Sequence, residues 1–262
     1  MSGLSERSRH DEEMHREVAM MYRRRAAYAF AEDFQQERND ILLALAPSGG
    51  GECALDLGCG TGLLLHRLAD RYARVIGLDL STEMLEGCAR GGNVALVRGD
   101  MAALPFETGS ISVVFCRSAL HHVDDEVGVL GEIARVLEPD GRLILAEPAN
   151  DNPLARAARA WVKRRPSYGK LHTIDRAFTR AELRRLLDAA GLEIRRERRF
   201  GYLAYPLCDN PDLVPVLKAL PFATAIGAGL RAIDRALAAI PVVRTQSWYT
   251  ILEVARRRER TA

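Results

Sequence analysis

Leu55-Asp56-Leu57-Gly58-Cys59-Gly60-Thr61-Gly62 carries an apolar run into three alternating glycines and then into an apolar-periodic stretch, Leu63-Leu64-Leu65-His66-Arg67-Leu68-Ala69. This reads as a strand that turns sharply into a helix. Residues in such a turn must tolerate positive φ and leave room for a close neighbour, which glycine does at no steric cost. A helix opening here presents unpaired N–H groups that favour a carboxylate or phosphate, so the turn reads as a ligand cradle. Glycines also occur where two backbones merely pack closely, and the residues beyond the turn decide between the two readings.

Working outward, strand and helix patterns alternate. Ala73–Asp79 reads as a second strand and Ser81–Arg90 as a helix opened by Ser81 and Glu83. Val94–Asp100 and Ile111–Cys116 read as third and fourth strands, Asp124–Leu137 as a helix, and Pro139-Asp140-Gly141 as a turn into a fifth strand, Arg142–Glu147. Such alternation implies a doubly wound parallel sheet with helices on both faces and a ligand crevice at the strand C-termini. Further on, Ala149–Lys170 reads as a basic helix and loop. Thr179 with Glu182 marks a capped helix that closes at Gly191, and Leu192–Phe200 and Trp248–Ala255 complete the strands. Before the glycine turn, His10–Leu45 reads as helical, preceded by a polar start at residues 1–9. The expected divisions are a helical cap over 1–46, an α/β core over 47–200, a helical insertion over 201–247, and a last strand with a basic tail over 248–262.

The spacing of the turn departs from the dinucleotide pattern G-x-G-x-x-G, because the third glycine position holds Leu63 and the glycine stands at Gly62. Asp56-x-Gly58-x-Gly60-x-Gly62 resembles instead the first motif of class I S-adenosylmethionine-dependent methyltransferases. Val75-Ile76-Gly77-Leu78-Asp79, Arg98-Gly99-Asp100-Met101, Leu120-His121-His122-Val123 and Glu132-Ile133-x-Arg135-Val136-Leu137 resemble the later blocks of the branch that contains the ubiquinone/menaquinone biosynthesis enzymes. The resemblance implies a seven-stranded sheet with an antiparallel last strand, and S-adenosylmethionine as cofactor with S-adenosylhomocysteine as product. It also implies roles for individual residues. Gly58, Cys59, Gly60 and Gly62 form the cradle, Asp56 orients it, and Asp79 with Leu80 faces the ribose and base. Asp100 and Met101 frame the adenine, Cys116 ends the fourth strand beside the cofactor, and Tyr22 and Tyr28 belong to the segment folded over it.

Methyl transfer asks mainly for alignment and the exclusion of water, and for a base only where the acceptor must lose a proton. His121 is the candidate base. His122, Arg117 and His172 are candidates for the acceptor side, Arg117 through its fork of donors. Each has a plainer reading, as a packed histidine or a side chain that covers the sheet edge.

Composition narrows the classes. The net charge of +2 carries no overall excess for nucleic acid, although Lys163-Arg164-Arg165 and Arg195-Arg196-Glu197-Arg198-Arg199 are locally basic. No Asn/Asp-Pro-Pro-Tyr tetrad follows the fourth strand, which disfavours exocyclic base amines. Five scattered cysteines read as reduced buried thiols, with neither a disulfide frame nor a metal site. No signal core or bilayer-length apolar run is evident, so the expected location is cytoplasmic, with peripheral membrane contact and homodimerisation open. The apolar insertion, broken by Pro215, Pro221, Gly227 and Gly229, reads as a lid for an apolar or aromatic small-molecule acceptor, against the rival readings of a dimer interface or a membrane-surface helix. The rival functions are an RNA or protein methyltransferase and a non-catalytic S-adenosylmethionine-binding accessory protein.

Overall fold

The computed structural model describes residues 20, 28–47, 52–164, 176–209 and 215–257. Tyr22, His172 and the polar start at 1–9 lie outside them. In chain order the elements are α1 (Ala29–Leu45), β1 (Cys53–Leu57), α2 (Leu65–Ala69), β2 (Arg74–Asp79), α3 (Thr82–Leu85), β3 (Val94–Arg98), β4 (Ile111–Arg117) and α4 (Glu126–Val136). They continue with β5 (Leu137–Pro148), α5 (Pro153–Lys163), α6 (Arg180–Ala189), β6 (Leu192–Phe200), α7 (Pro215–Ala219), α8 (Ala223–Ala238) and β7 (Tyr249–Arg256).

The strands form one seven-stranded sheet in the order β3-β2-β1-β4-β5-β7-β6. β7 runs antiparallel to both β5 and β6, and the remaining pairs are parallel. β1 is central and every residue in it is buried, because helices cover both faces. From β1 the chain winds outward to β3 and then returns to lay β4 on the other side of β1. The crevice therefore falls between the C-termini of β1 and β4, where the glycine turn leaves the sheet.

The two sheet faces carry separate cores. Leu55, Leu57, Val114 and Cys116 pack toward α4 and α6, whereas Ala54, Phe115 and Tyr249 pack toward α1. Asp56 follows Ala54 in the alternation, and Arg117 follows Phe115. Both polar side chains thus fall on the α1 face at the strand ends.

Three expected boundaries move. The helix after the glycine turn begins at Leu65 rather than Leu63 and spans five residues, because turn bonds continue from Gly62 N–H to the Cys59 carbonyl and from Leu65 N–H to the Gly62 carbonyl. So short a helix contributes little dipole, and the cradle is a matter of turn geometry. The helix opened by Ser81 ends at Leu85, not Arg90, where Cys88 turns back to bring its Sγ within 3.2 Å of the Gly60 carbonyl oxygen. β5 begins at Leu137, and Pro139-Asp140-Gly141 lies inside it, where the pairing with β4 shifts register between Ile111 and Val113. The capping box at Thr179 and Glu182 is formed in full.

The insertion does not lie over the strand ends as one lid. α8 packs outside α1, held by Arg231 to Asp33 and Glu37, while the Asp234 carboxylate accepts from the N–H groups of Tyr202, Leu203 and Ala204. The wide helical turn Tyr205–Asp209 reaches inward, where Tyr205 packs on Phe34 and Tyr249, and Leu217 of α7 joins the same core.

Candidate functional site

The site begins with three glycines in the left-handed region, at φ +67° for Gly58, +54° for Gly60 and +79° for Gly62. Two of them are fixed by close neighbours. A Cβ on Gly58 would stand 2.6 Å from the Ala119 Cβ, so this glycine lets the β1 and β4 turns close on each other, and one on Gly62 would meet the Cys88 Sγ at 3.0 Å. Gly60 differs: a Cβ there meets nothing within 4 Å. Its outward side is open, as a cradle requires.

Asp79 ties the turn to the end of β2. One carboxylate oxygen accepts from Gly60 N–H at 2.8 Å and the other from Ser81 N–H at 2.9 Å. A carboxylate offers about four acceptor positions, so each oxygen retains capacity for a further donor. Leu80 beside it is exposed, and the Met101 Cε lies 3.5 Å from the position of a Gly58 Cβ. Asp100 is exposed and accepts from Ala102 N–H at 2.9 Å, closing its own turn. The Cys59 side chain is buried behind the turn, and Cys116 is fully buried on the face opposite α1. Both therefore offer the crevice backbone only.

A polar cluster lies under α1 at the ends of β1 and β4. The Arg117 guanidinium donates to Gln35 Oε1 at 3.3 Å and Asn39 Oδ1 at 3.5 Å, and Arg38 and Gln35 both donate to Asp209. Arg38 also lies over the Tyr249 ring. Ser118, directly after β4, has φ +54°, a conformation that L-residues adopt at some energetic expense, and its hydroxyl is hydrogen-bonded to the Tyr249 hydroxyl. One Asp56 carboxylate oxygen is buried with no hydrogen-bond partner. Burial pushes the Asp56 carboxyl up to about 7, against the opposing pull of the Arg117 guanidinium. A cavity of about 560 Å³ connects this cluster to the turn, lined by Gln35, Asn39, Asp209, Thr61, Gly62 and His66 among others. Asp79, Leu80, Asp100 and Met101 do not line it. Tyr28 lies away from the cluster, with its ring beneath the Lys218 ammonium and beside Phe30.

The Asp56 carboxyl carries the first prediction. Its folded pKa lies above the ordinary 3.8, so the folded state holds the proton that the unfolded state releases. This group's contribution to stability is complete below about pH 4 and is lost as pH rises toward 7, by up to ~4 kcal/mol. Asp56→Asn should flatten that decline. Melting temperatures measured from pH 4 to 8 for both proteins check this, and parallel curves would contradict it.

After β4, His121 and His122 separate. His122 is exposed, whereas His121 is buried, with its ring 4.0 Å from that of His122. The His121 Nδ1 lies 2.6 Å from Glu147 Oε2, and the two side chains are 1% and 0% exposed. The other Glu147 oxygen accepts from Ala119 and Leu120 N–H. Donation from Nδ1 to the carboxylate leaves the lone pair on Nε2, which is buried with no protein partner.

The sequence pointed to the turn, Asp79, Arg117 and His121, but not to Glu147, Gln35, Arg38, Asn39, Asp209 and Tyr249, which the structure gathers around Arg117, Ser118 and His121. A signal for two of these was present. Arg38 and Asn39 interrupt the apolar row of α1 that Phe30, Phe34 and Leu42 define, and both are buried.

Residues 55–145 match the family described as a methyltransferase domain. The chain is 31% identical over 233 residues to an uncharacterized 37.1 kDa protein in transposon TN4556 of Streptomyces fradiae, covering 82% of this chain and 62% of that one. It is 32% identical over 167 residues to the demethylmenaquinone methyltransferase of Lactobacillus johnsonii, covering 55% and 68%. Several other curated relatives are matched over less than half of their length. Among solved structures, an S-adenosylmethionine-dependent methyltransferase from Mesorhizobium loti superposes with a TM-score of 0.57 at 20% identity, covering 83% of this chain and 96% of that one, which speaks for the fold. With its sheet order, its glycine turn and these relatives, the chain belongs to the class I S-adenosylmethionine-dependent methyltransferases.

Proposed function

We propose that the chain transfers a methyl group from S-adenosylmethionine to an oxygen, nitrogen or carbon atom of an apolar or aromatic small molecule. The observation that carries this reading is the Gly60 turn, open on its outer side and bound to a carboxylate with unused acceptor capacity. When bound, the cofactor supplies an electrophilic methyl on a sulfonium.

The chain's own residues fit that group. Asp79 accepts from the ribose hydroxyls, and Leu80, Asp100 and Met101 frame the base. On the α1 side, the unpartnered Asp56 oxygen suits an ammonium and the Arg117 fork suits a carboxylate, the two ends of an amino acid. Closure of α1 over the strand ends excludes water. His121, held by Glu147 with its Nε2 as acceptor, takes the proton where the methylated atom must lose one, and Glu147 is its positioning residue. The apolar small-molecule class is drawn from the demethylmenaquinone methyltransferase relative, while Phe34, Tyr205 and Tyr249 pack against one another as buried core. A nucleic-acid substrate is less well served. Arg195, Arg196 and Arg199 of the basic run are paired with Glu193, Glu253, Asp151 and Glu197.

The test is incubation with isotopically labelled S-adenosylmethionine and a panel of phenols, quinols, amines and fatty acyl compounds, read by mass spectrometry. Label in an apolar product is expected. Cofactor binding without label in any product would favour an accessory role, and transfer confined to RNA or protein would replace the acceptor class.

A further inference from the structure

Apart from Met20, Leu80 and Val127, every exposed large apolar side chain among the described residues lies within 154–161 or 203–242. The turn that follows α8 packs against that helix and bonds to the head of α5. The Asn152 amide at the head of α5 donates to the Gln246 carbonyl at 2.7 Å, and Arg159 of α5 donates to the Trp248 carbonyl. Both helices carry large apolar side chains on their outer faces. α8 turns Arg231 and Asp234 inward and leaves Ile226 and Ile233 outward, and Phe222 and Ile240 just beyond its two ends are exposed as well. α5 leaves Leu154 and Trp161 outward, 77% and 57% exposed, one turn-pair apart on the same side. Phe222 and Val242 are 72% and 80% exposed.

Charge separates the occupants such a face could take. Residues 153–164 contain no acid, and 215–249 contain only Asp234, which is consumed by three backbone N–H groups. Arg164, three residues beyond Trp161, and Arg244, two beyond Val242, are exposed. A second copy would bring the same cations with no acid to meet them. A phospholipid surface instead offers apolar depth for Trp161, Leu154, Phe222 and Val242 and anionic headgroups for the arginines. No helix among the described residues is long and apolar enough to cross a membrane, so the contact is peripheral.

We propose that the outer faces of α5 and α8, with the turn at Val243–Gln246, form a docking surface for anionic phospholipid bilayers. The proposal is independent of whether methyl transfer is found. The full chain should co-sediment with vesicles of phosphatidylcholine containing about 30 mol % phosphatidylglycerol at least about tenfold more than with phosphatidylcholine alone, and added salt should reduce the difference. Ile233→Asp/Val242→Asp, both at exposed positions, should lose about tenfold in vesicle binding with an unchanged melting temperature. Vesicles should also blue-shift the tryptophan emission of the wild type and leave that of Trp161→Phe unmoved. Absence of sedimentation, equal sedimentation with neutral vesicles, or undiminished binding of the double variant would overturn the proposal. So would a dimer, detected by sedimentation equilibrium, that the double variant abolishes.

Discussion

Asp79→Ala is expected to weaken S-adenosylhomocysteine binding by about a hundredfold or more. The carboxylate holds Gly60 N–H and Ser81 N–H, and in the proposed complex its remaining acceptor capacity serves the ribose hydroxyls. Hydrogen bonds to a charged acceptor contribute about 1.5–3 kcal/mol each, so the loss of two from a ligand corresponds to roughly two to four orders of magnitude. Alanine also releases the Gly60 amide, and the turn loses its anchor to β2. The two effects separate with a 2′-deoxy analogue of the ligand. If Asp79 grips the sugar, the analogue binds wild type more weakly than the parent does, and Asp79→Ala no longer distinguishes the two. Calorimetry measures all four affinities. A variant that binds within threefold of wild type, or that still discriminates the analogue, would remove Asp79 from the ligand's contacts.

Why Asp79 could be read from sequence and Glu147 could not is a question of range. The glycine turn, the strand that precedes it and the acid about twenty residues later are local chemistry. Positive φ selects glycine, and a strand exit in a doubly wound sheet faces the crevice whatever the rest of the chain does. The capping box at Thr179 and Glu182 was legible for the same reason. Glu147 acquires its role from the turn after β4, which the α4 crossover brings beside it some 26 to 28 residues away in the chain, and it ends an apolar strand whose pattern says core. Arg38 and Asn39 were obscured because helix periodicity assigns faces by hydropathy, while α1 buries polar side chains toward Arg117 and Asp209. The insertion misled in a different way. An apolar helix reads as one that covers something with its large side chains, yet α8 meets α1 through Ala223, Gly227, Leu230 and the charged Arg231 and leaves Ile226 and Ile233 outward.

Glu147 should therefore show the largest consequences of any single substitution near the β4 turn. Its side chain is fully buried and accepts from Ala119 N–H, Leu120 N–H and the His121 ring. Glu147→Ala leaves those donors unpaired in the interior and should destabilise the fold by about 3–5 kcal/mol. Glu147→Gln keeps the shape and some of the acceptance, so it should fold with a smaller loss. Its amide cannot serve the two backbone donors and His121 as the carboxylate does, and the ring is no longer fixed with Nε2 as proton acceptor. Methyl transfer to an acceptor that must be deprotonated should fall by about 10²–10⁴-fold, the range general-base catalysis contributes, with S-adenosylhomocysteine affinity within threefold of wild type. The chemical readout is the acceptor's own acidity. A nitrophenol that is already ionised at the assay pH needs no base and should be methylated nearly as fast by Glu147→Gln as by wild type. An unactivated phenol of the same shape should show the full loss. Equal losses on both would mean that Glu147 and His121 only brace the turn, and a structural brace has no means of telling one phenol from the other.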